Sequence, residues 1–576
     1  MAIQATAKFL MQATLGADQE TIEQVNQQGI SHWLDQQLAH SYTSEDSFKN
    51  KTSDIWQYFR QRLLEQVSGD TSYLDGNGNA AALPYWLYWR MAWWHKTLTA
   101  DAESLVRHRV AQALSEIIVI SDQSNLQLDA EGIASFYDIL YKNAFGNYDD
   151  LLTDVSLHPC MGAYLSHINN RKADTTRNIH PDENYAREIM QLFSIGLYEL
   201  KTNGSRVKDS KGRDIPTYNN NDIKQLAKVF TGLQASRYLY EWPSFDAEFT
   251  PWNGYPVAFD DEVANTYKTV PYVDMETPMV ADERYHDQTA KYLLGGRINL
   301  PAKQTTLQDI QSTVKALVAH PNTAPFIVKK LIQQLVSSNP SPAYIKDVVA
   351  VFGERGNLKA VVRKILTHPE AASGKKLKPP MLRVIQTLRG FNAHNESGKL
   401  WVLGEELKYA IGQHTLSSPT VFNFYLPDFA PHGPIEEQNQ TAPEFQLHTA
   451  SNAVNYINLM YYWFFNNNYL PVSTVTHAQD YTLPEVDSSR LTNAADKIRL
   501  DLGTEEQLAA EKRYDELIDR IALTLIGDTQ LLDRQRIKDA FQPFANVPND
   551  GPRWVVQTIL FMITISPEFA VLGAEQ

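Results

Sequence analysis

Along most of this chain apolar residues return every three or four positions, and Gly or Pro closes each run. A sequence patterned this way folds into amphipathic helices around a shared core and leaves little for a sheet. Ile22 and Val25 share one face of a helix that Gly29 ends, and Ser31 can cap the next, which turns Trp33, Leu34 and Leu38 inward. Between Glu103 and Val119 the apolar side is Val106, Val110, Ala113, Leu114 and Ile117, with Arg107, His108 and Arg109 set among them. Behind Pro84, Trp86, Trp89 and Trp93 fall at i, i+3 and i+7, with Trp94 beside them. Such a stripe can bind a sugar or a flat cofactor; here it reads as core.

One punctuation mark recurs. An apolar helix end, then His or Ser, then Pro appears at His158-Pro159, His320-Pro321, His368-Pro369 and Ser566-Pro567. Pro cannot continue a helix, and an imidazole near a C-terminus suits the dipole and the free carbonyls. The three histidines therefore read as helix-end residues rather than ligands. No fixed repeat period links the four sites.

Two stretches break the helical pattern. Ser205 to Lys208, a turn at Asp209 to Gly212, and Arg213 to Tyr218 predict a small β-hairpin. Residues 234–285 are irregular and aromatic, with Tyr238, Tyr240, Trp242, Phe245, Trp252, Tyr255 and Phe259 among acids such as Asp246 and Glu248. A loop this long is expected to fold over the body beside the site, as a lid does. The expected class is mainly α: a multi-helical globular protein with a small hairpin and a long aromatic-rich loop. Four parts, 1–200, 201–300, 301–385 and 386–576, are expected to form one continuous unit.

Charge narrows the function classes. Fifty-two Lys and Arg against 67 Asp and Glu give a net charge of −15, which argues against nonspecific nucleic-acid binding. A single cysteine, Cys160, excludes an intrachain disulfide and a Cys-ligated cluster. No run nears the ~18 apolar residues of a membrane span. No signal peptide is read at the start, where Ala5 to Leu10 already looks like a domain helix.

The stretch from Asn178 to Phe193 is densest in functional groups. Pro181 suits a first helical position, and Asp182 and Glu183 suit the first turn. Asn184, Arg187, Glu188 and Gln191 then fall on one stripe, with Tyr185, Ile189, Leu192 and Phe193 on the apolar face. A solvated face usually carries Lys and Glu; these groups make fixed hydrogen bonds. The stripe reads as a site or as a buried polar network, and both remain open. As a site, Glu183 or Glu188 serves as acid or base and Arg187 holds an anionic group. Asn184 and Gln191 orient substrate with help from Arg107 and Arg109. The stripe is expected to face Arg107, Arg109 and His286. His286-Asp287, Lys291 one turn on, and His180 could hold a divalent metal, although a surface His-Asp pair is the better reading of the first two. No HExxH, GxSxG, Walker or GxGxxG pattern occurs in a fitting context.

Taken together these segments resemble the bacterial family known as domain of unknown function 1800. The resemblance is carried by Ala7 to Gly16, Arg107 to Leu114, Asn143 to Tyr148 and, most strongly, Pro181 to Glu188. Thr231-Gly232, His286-Asp287 with Lys291 and Gly295, His320 to Phe326, Ser338 to Pro340, Ser418 to Phe422, and Ser566 to Phe569 extend it. It implies an exported bacterial protein, often encoded beside an alkaline-phosphatase-like or sulfatase-type partner, and no established reaction or cofactor. This chain departs from the pattern with Cys160, where a small residue is common, and in lacking a leader. Three functions follow as expectations: an enzyme on a glycan or other extracellular polymer, a non-enzymatic accessory for the phosphatase-like partner, or a haem- or metal-dependent redox enzyme.

Overall fold

The computed structural model describes residues 2–67, 86–127, 129–236, 238–239, 272–402, 405–465, 495, 497–531 and 533–573. Among them the chain is mainly α-helical, with twenty-four α-helices and four two-stranded ladders of two or three residues per strand. One apolar core runs from Ala7 to Phe569.

The helix Leu105–Ser115 sits at its centre, with all eleven residues buried. Helices Ile30–Ala39, Ala130–Lys142 and Thr323–Leu335 pack around it. A helix interior to the core needs partners for its polar side chains, and here the partners are the ends of its neighbours. Arg107 donates to the carbonyls of Tyr141 (3.1 Å) and Lys142 (3.2 Å) in the last turn of Ala130–Lys142, and to His40 at the close of Ile30–Ala39. Arg109 donates to the Gln334 carbonyl in the last turn of Thr323–Leu335. The last carbonyls of a helix have no partner within it, so two buried guanidinium groups terminate three helices at once.

The tryptophan stripe is core. Trp89, Trp93 and Trp94 are fully buried, and the Trp94 indole N–H meets His414 Nε2 at 2.9 Å. Arg90, on the same helix, Trp86–Leu98, is also fully buried, paired with Asp122 at 2.8 Å and lying 4.0 Å over the Trp86 ring.

The His-Pro stops work differently from the expectation. Each imidazole faces forward, accepting the backbone N–H two residues on at 3.2 Å: His158 from Cys160, His320 from Asn322, His368 from Glu370. Ser566 accepts from Phe569 in the same manner. His158, His368 and Ser566 are N-caps with Pro at the first helical position. The histidines thus open the next segment and do not serve the carbonyls of the previous one. The ring nitrogen must be unprotonated to accept. Burial accordingly lowers the His158 imidazole to about 3 from its ordinary 6.5, and His320 to about 4. Stability from His158 is complete above pH 6.5 and is lost as pH falls toward 3, at about 1.4 kcal/mol per unit traversed. The melting temperature is therefore expected to fall between pH 7 and 4, and to fall less in His158→Asn, which keeps a cap without a proton site. Equal acid sensitivity in the two proteins contradicts this assignment.

The expected hairpin is present and larger than its sequence signal. Bridges join Lys208 to Asp214, Leu200 to Arg206 and Tyr198 to Pro216, so residues 197–201 join it as a third segment. Asp209 shapes the turn by accepting the N–H groups of Lys211 and Arg213. Of the expected lid, 240–271 lies outside the described residues. Its flanks pair Leu233–Gln234 with Val280–Ala281 and Tyr238–Leu239 with Tyr272–Val273.

Candidate functional site

The stripe found in the sequence lies on the helix Asn184–Gln191, and the structure divides it lengthwise. Tyr185 anchors the inner face, its ring stacked on His167 at 3.9 Å and its hydroxyl 2.7 Å from Ser156 Oγ. Asn184 is exposed. Arg187, 43% exposed, pairs with Glu183 on its own helix at 3.7 Å. Gln191 accepts from the Tyr218 hydroxyl at 3.1 Å. Glu188 alone goes inward: it is 6% exposed, and its Oε2 has no hydrogen-bond partner. Burial raises its carboxyl above the usual range, against the opposing charges of Arg187 and Lys330.

Lys330 links Glu188 to a cleft. It stands on Thr323–Leu335, donates to the Leu192 carbonyl at 3.3 Å and lies 4.5 Å over the Phe326 ring. Burial lowers its ammonium to about 8, opposed by Asp428 and Glu188. Lys330 and Leu192 line an open cleft with a cavity of about 60 Å³, together with Glu116, Asn423, Tyr425 and Glu444. Phe422 and Leu426, both exposed, also line it.

The charged groups in the cleft are held from behind. Glu116 follows the central helix directly; its Oε1 accepts from Gln112 at 3.0 Å and its Oε2 from the Asn423 amide. Arg109 in turn donates to Gln112. Glu444, 2% exposed, meets Lys376 at 2.8 Å through Oε1, while its Oε2 has no partner. Lys376 also donates to the carbonyls of Gln333 (2.7 Å) and Gln334 (3.0 Å). Burial raises the Glu116 carboxyl despite the Asn423 bond and the charges of Lys376 and Arg109. Glu116, Glu444 and Lys330 thus share the cleft, backed by Arg109 and Lys376, and the Oε2 of Glu444 keeps unused acceptor capacity.

Of the residues expected at a site none lines this cleft: Glu188 acts on Lys330 through its charge, and Arg109 stands behind Glu116 through Gln112. Arg107 closes helix ends instead, and Glu188 meets Lys330 where Arg107, Arg109 or His286 was expected. His286 and Asp287 are buried, not a surface pair. His286 Nδ1 lies 2.8 Å from the Thr231 carbonyl and Nε2 3.1 Å from Asp309 Oδ2, so both ring nitrogens are engaged. Asp287 accepts from the Thr289 N–H at 2.9 Å. Lys291 donates to Asp309 Oδ2 at 2.6 Å. Gly232 makes room for this cluster: at φ +89, a Cβ there would come within 3.1 Å of His286. His180 is exposed. Among the described residues no three His, Cys, Asp or Glu side chains gather as a metal would require.

Glu116, Lys330, Asn423 and Glu444 escaped the sequence reading. Lys330 had a signal, since Lys329-Lys330 interrupts the apolar run of its helix. Asn423 directly follows the Ser418 to Phe422 motif. The other two stand far apart in sequence and carry no local pattern.

A multi-helical body with a charged cleft beside the Asn184–Gln191 helix is the class of protein these features define. Residues 8–571 match the family described as "Protein of unknown function (DUF1800)", and the chain belongs to it. No curated protein and no solved structure matches the chain.

Proposed function

We propose that the protein is an acid–base enzyme acting on a polyhydroxylated polymer, a glycan in the first instance, bound in the Lys330 cleft. The observation that carries this is a pair of buried carboxyl groups that each keep an oxygen without a partner: Glu444, which lines the same cleft as Lys330, and Glu188, whose charge acts on Lys330. Sugar hydroxyls are the donors that would complete them, and exposed Phe422 and Leu426 offer an apolar surface for a sugar face. Glu188, whose burial favours the protonated form, supplies the general acid, and Lys330 steadies the negative charge left when it gives up its proton. Glu116 and Asn423 orient the substrate. The exported setting implied by the family resemblance belongs to this proposal.

Calorimetric titration of the whole protein with a panel of defined oligosaccharides tests the binding step. At least one is expected to bind, with affinity lowered about tenfold or more in both Glu444→Gln and Phe422→Ala. Absence of binding across neutral and charged oligosaccharides, or equal affinity in both variants, overturns the assignment.

A further inference from the structure

Buried cations in this protein have visible compensation. Arg90 has Asp122 at 2.8 Å, Lys291 has Asp309 at 2.6 Å, and Lys376 has Glu444 at 2.8 Å. Lys378 and Arg383 are different. They flank the start of the helix Pro380–Gly390 and are 1% and 3% exposed. Lys378 donates to Gln386 Oε1 at 2.8 Å and lies 3.9 Å over the Phe569 ring. Arg383 lies 4.0 Å over the Tyr456 ring. Among the described residues no carboxylate acts on either cation. A lysine can shed its proton when buried; a guanidinium keeps its charge. Arg383 is thus a permanent buried cation that has the ring and the hydroxyl of Tyr456 for company and no counter-ion.

Hydrogen-bond donors are left over at the same place. Arg383 Nε has no partner, and neither has Nε2 of fully buried Gln413. The Gln413 amide is fixed at the helix start because its Oε1 accepts the Met381 N–H at 3.2 Å. The first turn adds the positive end of the helix dipole, although Pro379 and Pro380 bring no N–H, that of Met381 goes to Gln413 and that of Arg383 to the Pro379 carbonyl, which leaves Leu382. Half-buried His448 borders the group and feels the Arg383 charge. Unpaired donors, a buried positive charge and a helix N-terminus together lack a single thing, an anion.

We propose that the start of the Pro380–Gly390 helix binds a small tetrahedral oxyanion of the phosphate type, held by Arg383, the Gln413 amide and the Leu382 N–H, with Lys378 adding charge. The site shares no lining residue with the Lys330 cleft, and it stands whether or not that cleft is catalytic.

The test is thermal melting of the whole protein in inorganic phosphate, sulfate or acetate, against chloride at matched ionic strength. Phosphate and sulfate are expected to raise the melting temperature saturably, and acetate to raise it less. In Arg383→Met and Gln413→Leu the rise is expected to shrink or vanish. In chloride, Arg383→Met should melt at or above the wild-type temperature, because the uncompensated charge is gone. A wild type indifferent to phosphate and sulfate up to about 50 mM overturns the proposal, as does an undiminished phosphate shift in either variant. A shift with acetate and none with phosphate overturns the tetrahedral assignment. Should Arg383→Met fail to fold, Gln413→Leu and calorimetric titration of the wild type with phosphate decide the matter: no heat of binding, or an undiminished shift, refutes it.

Discussion

Asp309→Ala is expected to destabilise the protein by about 3–5 kcal/mol. The carboxylate is fully buried, and its Oδ2 receives both Lys291 and His286. Removing it strands Lys291, 1% exposed, with only the carbonyls of Asp287 and Thr289. The loss is expected chiefly from that stranded charge. The double variant Asp309→Ala with Lys291→Met should therefore recover a large part of the stability, a coupling readable from urea unfolding of the four proteins. A single variant within about 1 kcal/mol of wild type would show that the cluster is not a buried ion pair in solution.

Glu188→Gln should do the opposite, sparing the fold and removing the chemistry. Its Oε2 has no partner to lose, and burial already favours the uncharged form, so an amide of the same shape should leave the melting temperature nearly unchanged. An amide cannot deliver a proton. On the proposed function, turnover of the bound polymer is expected to fall roughly 10²–10⁴-fold. If Glu188 belonged to an inert network, the same change would cost about 1–3 kcal/mol and leave turnover untouched. Melting curves and rates on the same two samples separate the outcomes.

The helices were legible because their evidence is local. Val106, Val110, Ala113 and Leu114 announce one buried face within a few turns, and Trp89 and Trp93 announce another. The His-Pro stops were legible as boundaries but not in direction, since spacing says where a helix ends and not which backbone group an imidazole serves. The polar stripe was half legible. Its residue types separated it from a solvated face, and Glu188 did turn inward; that Arg187 would pair with Glu183 instead of crossing to another helix depended on rotation about the helix axis. The cleft was the least legible. Glu116, Lys330 and Glu444 come from three distant segments, and a tertiary arrangement of that kind leaves no periodic trace.

The first helix, Ala2–Ala13, rests against Tyr514–Ile526 near the other end of the chain. Lys8 reaches Asp528 at 2.8 Å, and Gln19, just beyond that helix, donates to the Arg520 carbonyl at 3.0 Å. Lys376 and Leu377 pair with Leu572 and Val571. On the ribosome, the opening helix would leave the exit tunnel more than 500 residues before the surface it packs on, a separation of 520 between Lys8 and Asp528. At roughly 5–20 residues per second, it would wait about half a minute to two minutes for that surface, covered until then by nearer partners such as the next helix, Gln19–Gln28. A nascent chain so arranged cannot complete its core domain by domain. A chain truncated before residue 514 should be recovered as aggregate, not as a smaller folded protein.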